Sequence, residues 1–267
     1  MSALLSCLNK DRIEIIRKKK NIVLILLLVG CMTMVLLTTK FMPVLLQKAM
    51  SVSNILSDDT SLTDFMGKFF PNGLKESLGV FSSDVGVFYS VLVICLTFNL
   101  LPHEIETGKL ILPICAGYSK NIFFLSKQIT YGFFCAAPVI PVYLLYYFIA
   151  SGFLSVNIAI KYVIINAILL ALIEFLISSI TISLSVIYRR KYLSVVSVVS
   201  VVVIFPDFLT LFSFGKYLPT YILTYVYSSS VYPATIVIPL IESILILIIL
   251  DIIVLKKKFS IDIDERR

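Results

Sequence analysis

The chain has 267 residues, of which 59% are hydrophobic and 15% charged, with a net charge of +7 and a mean hydropathy of +1.00. Water-soluble domains average about 45–50% apolar and about 25% charged residues, so this composition excludes a soluble domain and points to an all-α integral membrane protein. The positive charge does not call for nucleic acid, because anionic lipid holds basic residues beside membrane spans at about 1 kcal/mol each.

Residues 1–20 are predicted to form a helix in which Leu4, Leu5, Leu8, Ile15 and Ile16 share one third of the wheel while Lys10, Asp11, Glu14 and Arg17 lie off that stripe. Such a helix rests in the membrane interface; a plain basic flank that orients the first span is the alternative. Crossing a hydrocarbon core of about 30 Å takes about 20 helical residues. Six runs with few or no charges meet that requirement: 21–39, 85–101, 128–151, 162–188, 192–214 and 234–255. The first run lacks a small-residue cleavage site before the following loop and is expected to stay in the protein as a span.

Orientation follows from Lys and Arg, which collect on cytoplasmic flanks. With the N-terminus inside, 17 of the 23 basic residues fall in cytosolic segments, including Lys18–Lys20, Lys109, Lys120, Lys127, Arg189–Lys191 and Lys256–Lys258. The other six, Lys40, Lys48, Lys68, Lys75, Lys161 and Lys216, fall outside. Six spans with both ends in the cytosol, and a cytosolic tail over 256–267, are therefore expected. Cys7, Cys31, Cys95, Cys115 and Cys135 lack metal-ligand spacing and are expected to be free thiols.

Between the spans, residues 40–84 form the longest polar segment and are expected to be an external loop, too small and poorly patterned for a separate core. Residues 102–127 form a polar connector after the second run. In it Glu104 and Glu106 precede Gly108, then come Lys109, Leu110, Ile111, Leu112, Pro113 and Ile114, then Ser119 and Lys120, with Lys127 heading the third span. A short helix parallel to the membrane is expected here, with Glu104 and Glu106 in its first turn, where carboxylates suit the positive end of the helix dipole. An ion pair to a partner protein is the alternative role for these acids. Pro138 and Pro141 in span three, and Pro206 in span five, mark bending points.

Ionisable residues inside spans are costly and become candidates for function. Glu174, Asp207 and Glu242 are the candidates for a substrate pathway, with structural pairing and cation coupling as the other readings. Asp251 lies one turn from Lys256 and is expected to snorkel or pair at the surface. Residues 215–233 are rich in aromatics, including Tyr217 and Tyr221 on either side of Pro219, as in a headgroup belt.

The connector resembles the first cytosolic loop of ABC type-2 transporter permeases. In that family an acid, any residue and Gly are followed by aliphatics, a Pro-x-Ser-Arg-like turn, and Lys at the head of the next span. Glu106, Gly108, Ser119, Lys120 and Lys127 match, the two lysines lying twelve and nineteen positions after the glycine. Gly117 stands where the family commonly has Pro, and Pro113 interrupts the helix. The resemblance covers about a tenth of the chain. It implies an amphipathic elbow helix over 1–20, a coupling helix between spans two and three, and a re-entrant external gate over 215–233 with Tyr217, Pro219 and Tyr221. It also implies a permease homodimer, or a pair with a related permease, working with a separate ATPase in a multi-pass arrangement in a bacterial plasma membrane.

No Gly-x-x-x-x-Gly-Lys-Ser/Thr sequence occurs, so ATP and Mg are expected on the partner ATPase and no cofactor on this chain. One histidine, His103, and no Gly-x-Ser-x-Gly elbow leave no catalytic residues for a hydrolase. The resemblance implies export of an amphipathic or hydrophobic cargo: a drug, a lipid-linked compound or an antimicrobial peptide. An ion-coupled secondary transporter or sodium extruder, and a non-transporting membrane immunity or scaffold protein, are the competing classes.

Overall fold

A computed structural model describes residues 2–17, 19–53, 73–110, 114–115, 117–155, 158–188, 191–200 and 233–256. Among these residues the protein is all helical, and five helices are long and apolar enough to cross a membrane: Ile22–Phe41, Leu74–Glu106, Lys120–Ser151, Ile160–Tyr188 and Ile238–Lys256. It is an all-helical membrane protein, because a bilayer leaves the backbone no other partner for its N–H and C=O groups than the helix itself or a closed barrel. The expected fifth run, 192–214, is described only to residue 200, as helix α9 (Lys191–Val199) and the residue after it.

Helix α1 (Ser2–Arg17) is followed by a turn in which Lys19 has φ 53°, and by α2 (Lys20–Ser53). The helix therefore runs well into the segment expected to be an external loop from residue 40. The second span also starts early. It comprises α3 (Leu74–Asp84), a π segment over Val85–Tyr89, α4 (Ser90–Thr97) and α5 (Leu100–Glu106). Lys75, Glu76 and Asp84 lower the hydropathy of α3, yet Leu74, Leu78 and Phe81 recur at helical spacing and bury one face. Only residues 54–72 of the expected 40–84 loop lie outside the described residues.

Helix α6 (Lys120–Ala136) gives way to α7 (Val139–Ser151) through a turn at Ala137 and Pro138. Both prolines sit where a missing N–H costs little, Pro138 at the cap and Pro141 in the first turn. Pro102 occupies the equivalent place in α5. Helix α8 (Ile160–Tyr188) is the centre of the bundle and packs on α4, α5, α6, α7, α9 and α10 (Pro233–Lys256).

Which faces turn inward is set by small and polar residues, since lipid tails are as apolar as leucine and give no preference for burying one aliphatic face over another. Along α8 the buried set includes Asn166, Glu174, Ser178, Thr181, Ser183 and Ser185, while Ile164, Ile165 and Ile168 face outward. Gly132 of α6 permits the close approach to α8, because a Cβ there would lie 2.6 Å from the Phe175 ring. Polar pairs stitch the interior. Ser77 bonds Tyr146, the Ser82 hydroxyl lies 3.3 Å from that of Tyr143, and Tyr89 donates to the Cys135 carbonyl at 2.6 Å.

Candidate functional site

The end of the bundle that carries residues 102–127 holds a concentration of buried charge. It forms where α1, α5 and α6 meet, and it begins with the way α5 stops. Thr107 caps the helix and Gly108 takes φ 70°, a left-handed conformation in which a Cβ is strained. The Gly108 N–H donates to the Ile105 carbonyl at 3.2 Å and the Lys109 N–H to the Glu104 carbonyl at 3.1 Å, the paired bonds of a Schellman motif. Gly108 thus serves a helix C-cap.

This corrects the expected placement of the acids. Glu104 and Glu106 lie in the last turn of α5, a continuation of the second span, and not in the first turn of a membrane-parallel helix. A helix C-terminus carries the negative end of the dipole and disfavours a carboxylate by about 0.3–1 kcal/mol at an exposed site. Glu106 is exposed to solvent. Glu104 is buried, and a cation compensates it.

That cation is Lys127. Its side chain is only 2% exposed, with Nζ 2.8 Å from Glu104 Oε1, 2.7 Å from Asp11 Oδ1 and 3.8 Å from Glu14 Oε2. The second Asp11 oxygen accepts a 2.7 Å bond from the Ser126 hydroxyl, and the Tyr131 ring lies 5.6 Å from the ammonium. Lys127 was expected to head the third span from the cytosol. Instead α6 begins at Lys120, and Lys127 stands two turns into it with its charge inside the protein. A buried ammonium without partners would be very costly, which is why three carboxylates converge on it.

Helix α1 also differs from expectation. Cys7, Asp11 and Ile15, spaced four apart, form its buried stripe, while Leu5 is 57% exposed and Ile16 faces outward too. Asp11 was expected off the packing face and is its anchor. The neighbouring Cys7 thiol is pushed up, first by burial and then by the Asp11 charge, so it is a poor nucleophile.

Beyond the C-cap the Ile114 N–H donates to the Leu110 carbonyl at 3.1 Å, and the N–H of Gly117, which has φ 87°, donates to the Ile114 carbonyl at 3.0 Å. Leu110 is buried against the cluster that contains Phe123 and Phe124, so its side chain is taken up within the chain and not presented to a partner. Ile111 lies outside the described residues. Glu106, Lys109 and Ser119 are exposed and Lys120 is half-buried, so these form the accessible tip of the connector.

The intramembrane acids separate. Glu174 is fully buried mid-helix and accepts a 2.8 Å bond from Ser90; its Oε2 has no protein donor. Glu242 is half-buried on α10. Asp207, Tyr217, Pro219 and Tyr221 lie outside the described residues. Asp251 does not snorkel toward the lysines; it accepts from Gln128 at 2.7 Å and from Ser183 at 2.9 Å, tying α10 to α6 and α8.

Sequence reasoning missed Asp11, Glu14, Ser126 and Gln128 as site residues. One signal was present: the spacing Cys7, Asp11, Ile15 puts an acid on the same face as two residues that pack. Comparison with protein-family models, with curated proteins and with solved structures finds no match to this chain.

Proposed function

We propose that this chain is the membrane-spanning permease subunit of an ABC exporter of the type-2 class, driven by a separate ATPase and moving an amphipathic or hydrophobic cargo outward. The observation that carries the reading is the brace at Lys127. A transport subunit that receives work at its cytosolic end needs an exposed tip joined stiffly to several spans. Here the exposed Glu106 and Lys109 flank a capped helix end, and Lys127 clamps that helix to α6 and to α1 by short, buried, charge-assisted bonds. A push on the tip therefore moves the second span, the third span and the amphipathic helix together. The order Glu106, Gly108, Ser119, Lys120, Lys127 adds support from resemblance.

In this reading six spans cross the membrane with both termini in the cytosol, and two permeases enclose the pathway between them. Closure of the ATP-bound partner dimer displaces the connector, and the second and fifth spans tilt to open the cleft outward. Release of ADP reverses the motion. The test is purification of the tagged full chain from its native membranes followed by measurement of bound ATPase activity. An associated ATPase, lost in the double variant Glu106→Arg, Lys109→Glu while the chain remains folded, is the expected result. Retention of a full complement of ATPase by that variant contradicts the reading.

Glu174 supports a second reading, an ion-coupled carrier, because a carboxyl buried in mid-span with one unmet oxygen suits a cation or proton in transit. Uptake by vesicles that depends on an ion gradient and not on ATP, and is abolished by Glu174→Gln, would favour it.

A further inference from the structure

We propose that Glu174 is a proton-binding site: in this packing its carboxyl holds one proton, which is released only when α4 and α8 part. The inference deepens the ion-coupled reading by naming the ion. It rests on that reading for its use in transport, while the bound proton follows from the site itself. Glu174 stands in the middle of α8 and is 0% exposed. Its one bond comes from the Ser90 hydroxyl, which donates to Oε1 at 2.8 Å, and Ser90 is fully buried too. Oε2 has no partner. Among the described residues no Lys, Arg or His pairs with this acid, whereas the charge of Glu104 is answered by Lys127. A carboxylate left bare in an apolar interior costs far more than a neutral acid with one unmet hydroxyl, and such a group takes up a proton instead.

The surroundings select a proton over a metal ion. Hard cations take about six or more oxygen ligands, and among the described residues Glu174 belongs to no group of three metal-ligating side chains. A proton needs one oxygen. Tyr89 is near enough to interact electrostatically with Glu174, but its hydroxyl donates to the Cys135 carbonyl at 2.6 Å and leaves Oε2 unmet. The place of Ser90 is set by the π segment Val85–Tyr89, which ends at the residue before it. A π turn closes over five residues instead of four, and such turns gather at functional sites.

Because both side chains of the pair are fully buried, the proton meets water only if α4 and α8 separate. It then passes from Oε2 to a water molecule, and the carboxylate left behind is solvated. The two helices close again only once the proton has returned, since closing on the ionised form buries a bare charge. Proton binding and the α4 to α8 contact are thus one equilibrium.

The test is infrared difference spectroscopy of the full chain in lipid nanodiscs near neutral pH, parent minus Glu174→Gln. The carbonyl stretch of a protonated carboxylic acid, which lies above the amide bands, should be present in the parent and missing from the variant. Glutamine has the shape of the neutral acid and can keep the Ser90 bond, so the unfolding temperature should stay within about 2 °C of the parent. Ser90→Ala deletes the bond to Oε1 and should move the same band to higher frequency with the acid still present, which decides the matter if Glu174→Gln does not fold. No acid band lost in Glu174→Gln, a band that Ser90→Ala leaves unmoved, or a band abolished by Na+ or K+ at constant pH overturns the proposal. The band together with uptake indifferent to a proton gradient removes the ion-coupled reading and leaves the proton site standing.

Discussion

Replacement of Lys127 by Met removes the ammonium and keeps most of the side-chain volume, so its effect isolates the charge. Asp11 and Glu104 then lose their shared cation at a buried junction, with the Glu14 carboxylate close by. Breaking a buried pair by deleting one partner costs about 3–5 kcal/mol, because the survivor is desolvated and unpaired. At about 2 °C per kcal/mol for a chain of this size, the unfolding temperature should fall by about 6–10 °C. The chain has no Trp, so a thiol-reactive dye reporting exposure of the fully buried Cys135 is the suitable assay. The triple variant Asp11→Asn, Glu104→Gln, Lys127→Met removes the stranded charge as well and should recover at least half of the loss, since neutral replacements of buried ionic groups are often tolerated. A Lys127→Met protein within about 1 °C of the parent, or a triple variant less stable than the single one, would refute the idea that this cluster is a buried brace.

Three further outcomes follow from local geometry. Gly108→Ala places a Cβ at φ 70° and should lower stability by about 1–2 kcal/mol, read as a drop in unfolding temperature, whereas Gly30→Ala, with no atom near the added methyl, should not lower it. Gly132→Ala should be at least as damaging, by about 1–3 kcal/mol, because the methyl enters the Phe175 ring unless α6 and α8 separate. Cys7 should react with a maleimide far more slowly than the exposed Cys115, as burial shields it and raises its thiol above the ordinary range; equal rates by mass spectrometry would contradict the packing of α1.

Five of the six expected runs coincide with helices long enough to cross a bilayer, because a bilayer imposes helices on any apolar run of that length. Their ends were less legible. Lys75, Glu76 and Asp84 read as loop in a hydropathy window, although a helix needs only one apolar face, and Leu74, Leu78 and Phe81 provide it. Lys127 was read as a boundary for the same reason: a lysine beside an apolar run usually marks the water interface. Its partner Asp11 lies on another helix, and the adjacent Ser126 to Asp11 bond spans 115 residues of sequence. No local pattern encodes such a contact. Gly108 and Glu106 were visible as a motif, but their local roles differ: the glycine ends a helix, and the acid it follows sits in that helix's last turn. The inward face of α8 was marked in its sequence by serine, threonine, asparagine and Glu174, a signal of packing that hydropathy alone flattens.

The central claim is that the exposed connector after the second span faces the cytosol and is worked by an ATP-hydrolysing partner. Cys115, exposed in that connector, allows a direct measurement. In membranes containing a variant with Cys115 as its one cysteine, a photoreactive maleimide on that residue should capture an ATPase subunit, with a yield that changes between ATP-bound and nucleotide-free conditions. Labelling of Cys115 only from outside the cell, or movement of cargo by the purified chain in vesicles with no nucleotide-hydrolysing companion, would contradict the account.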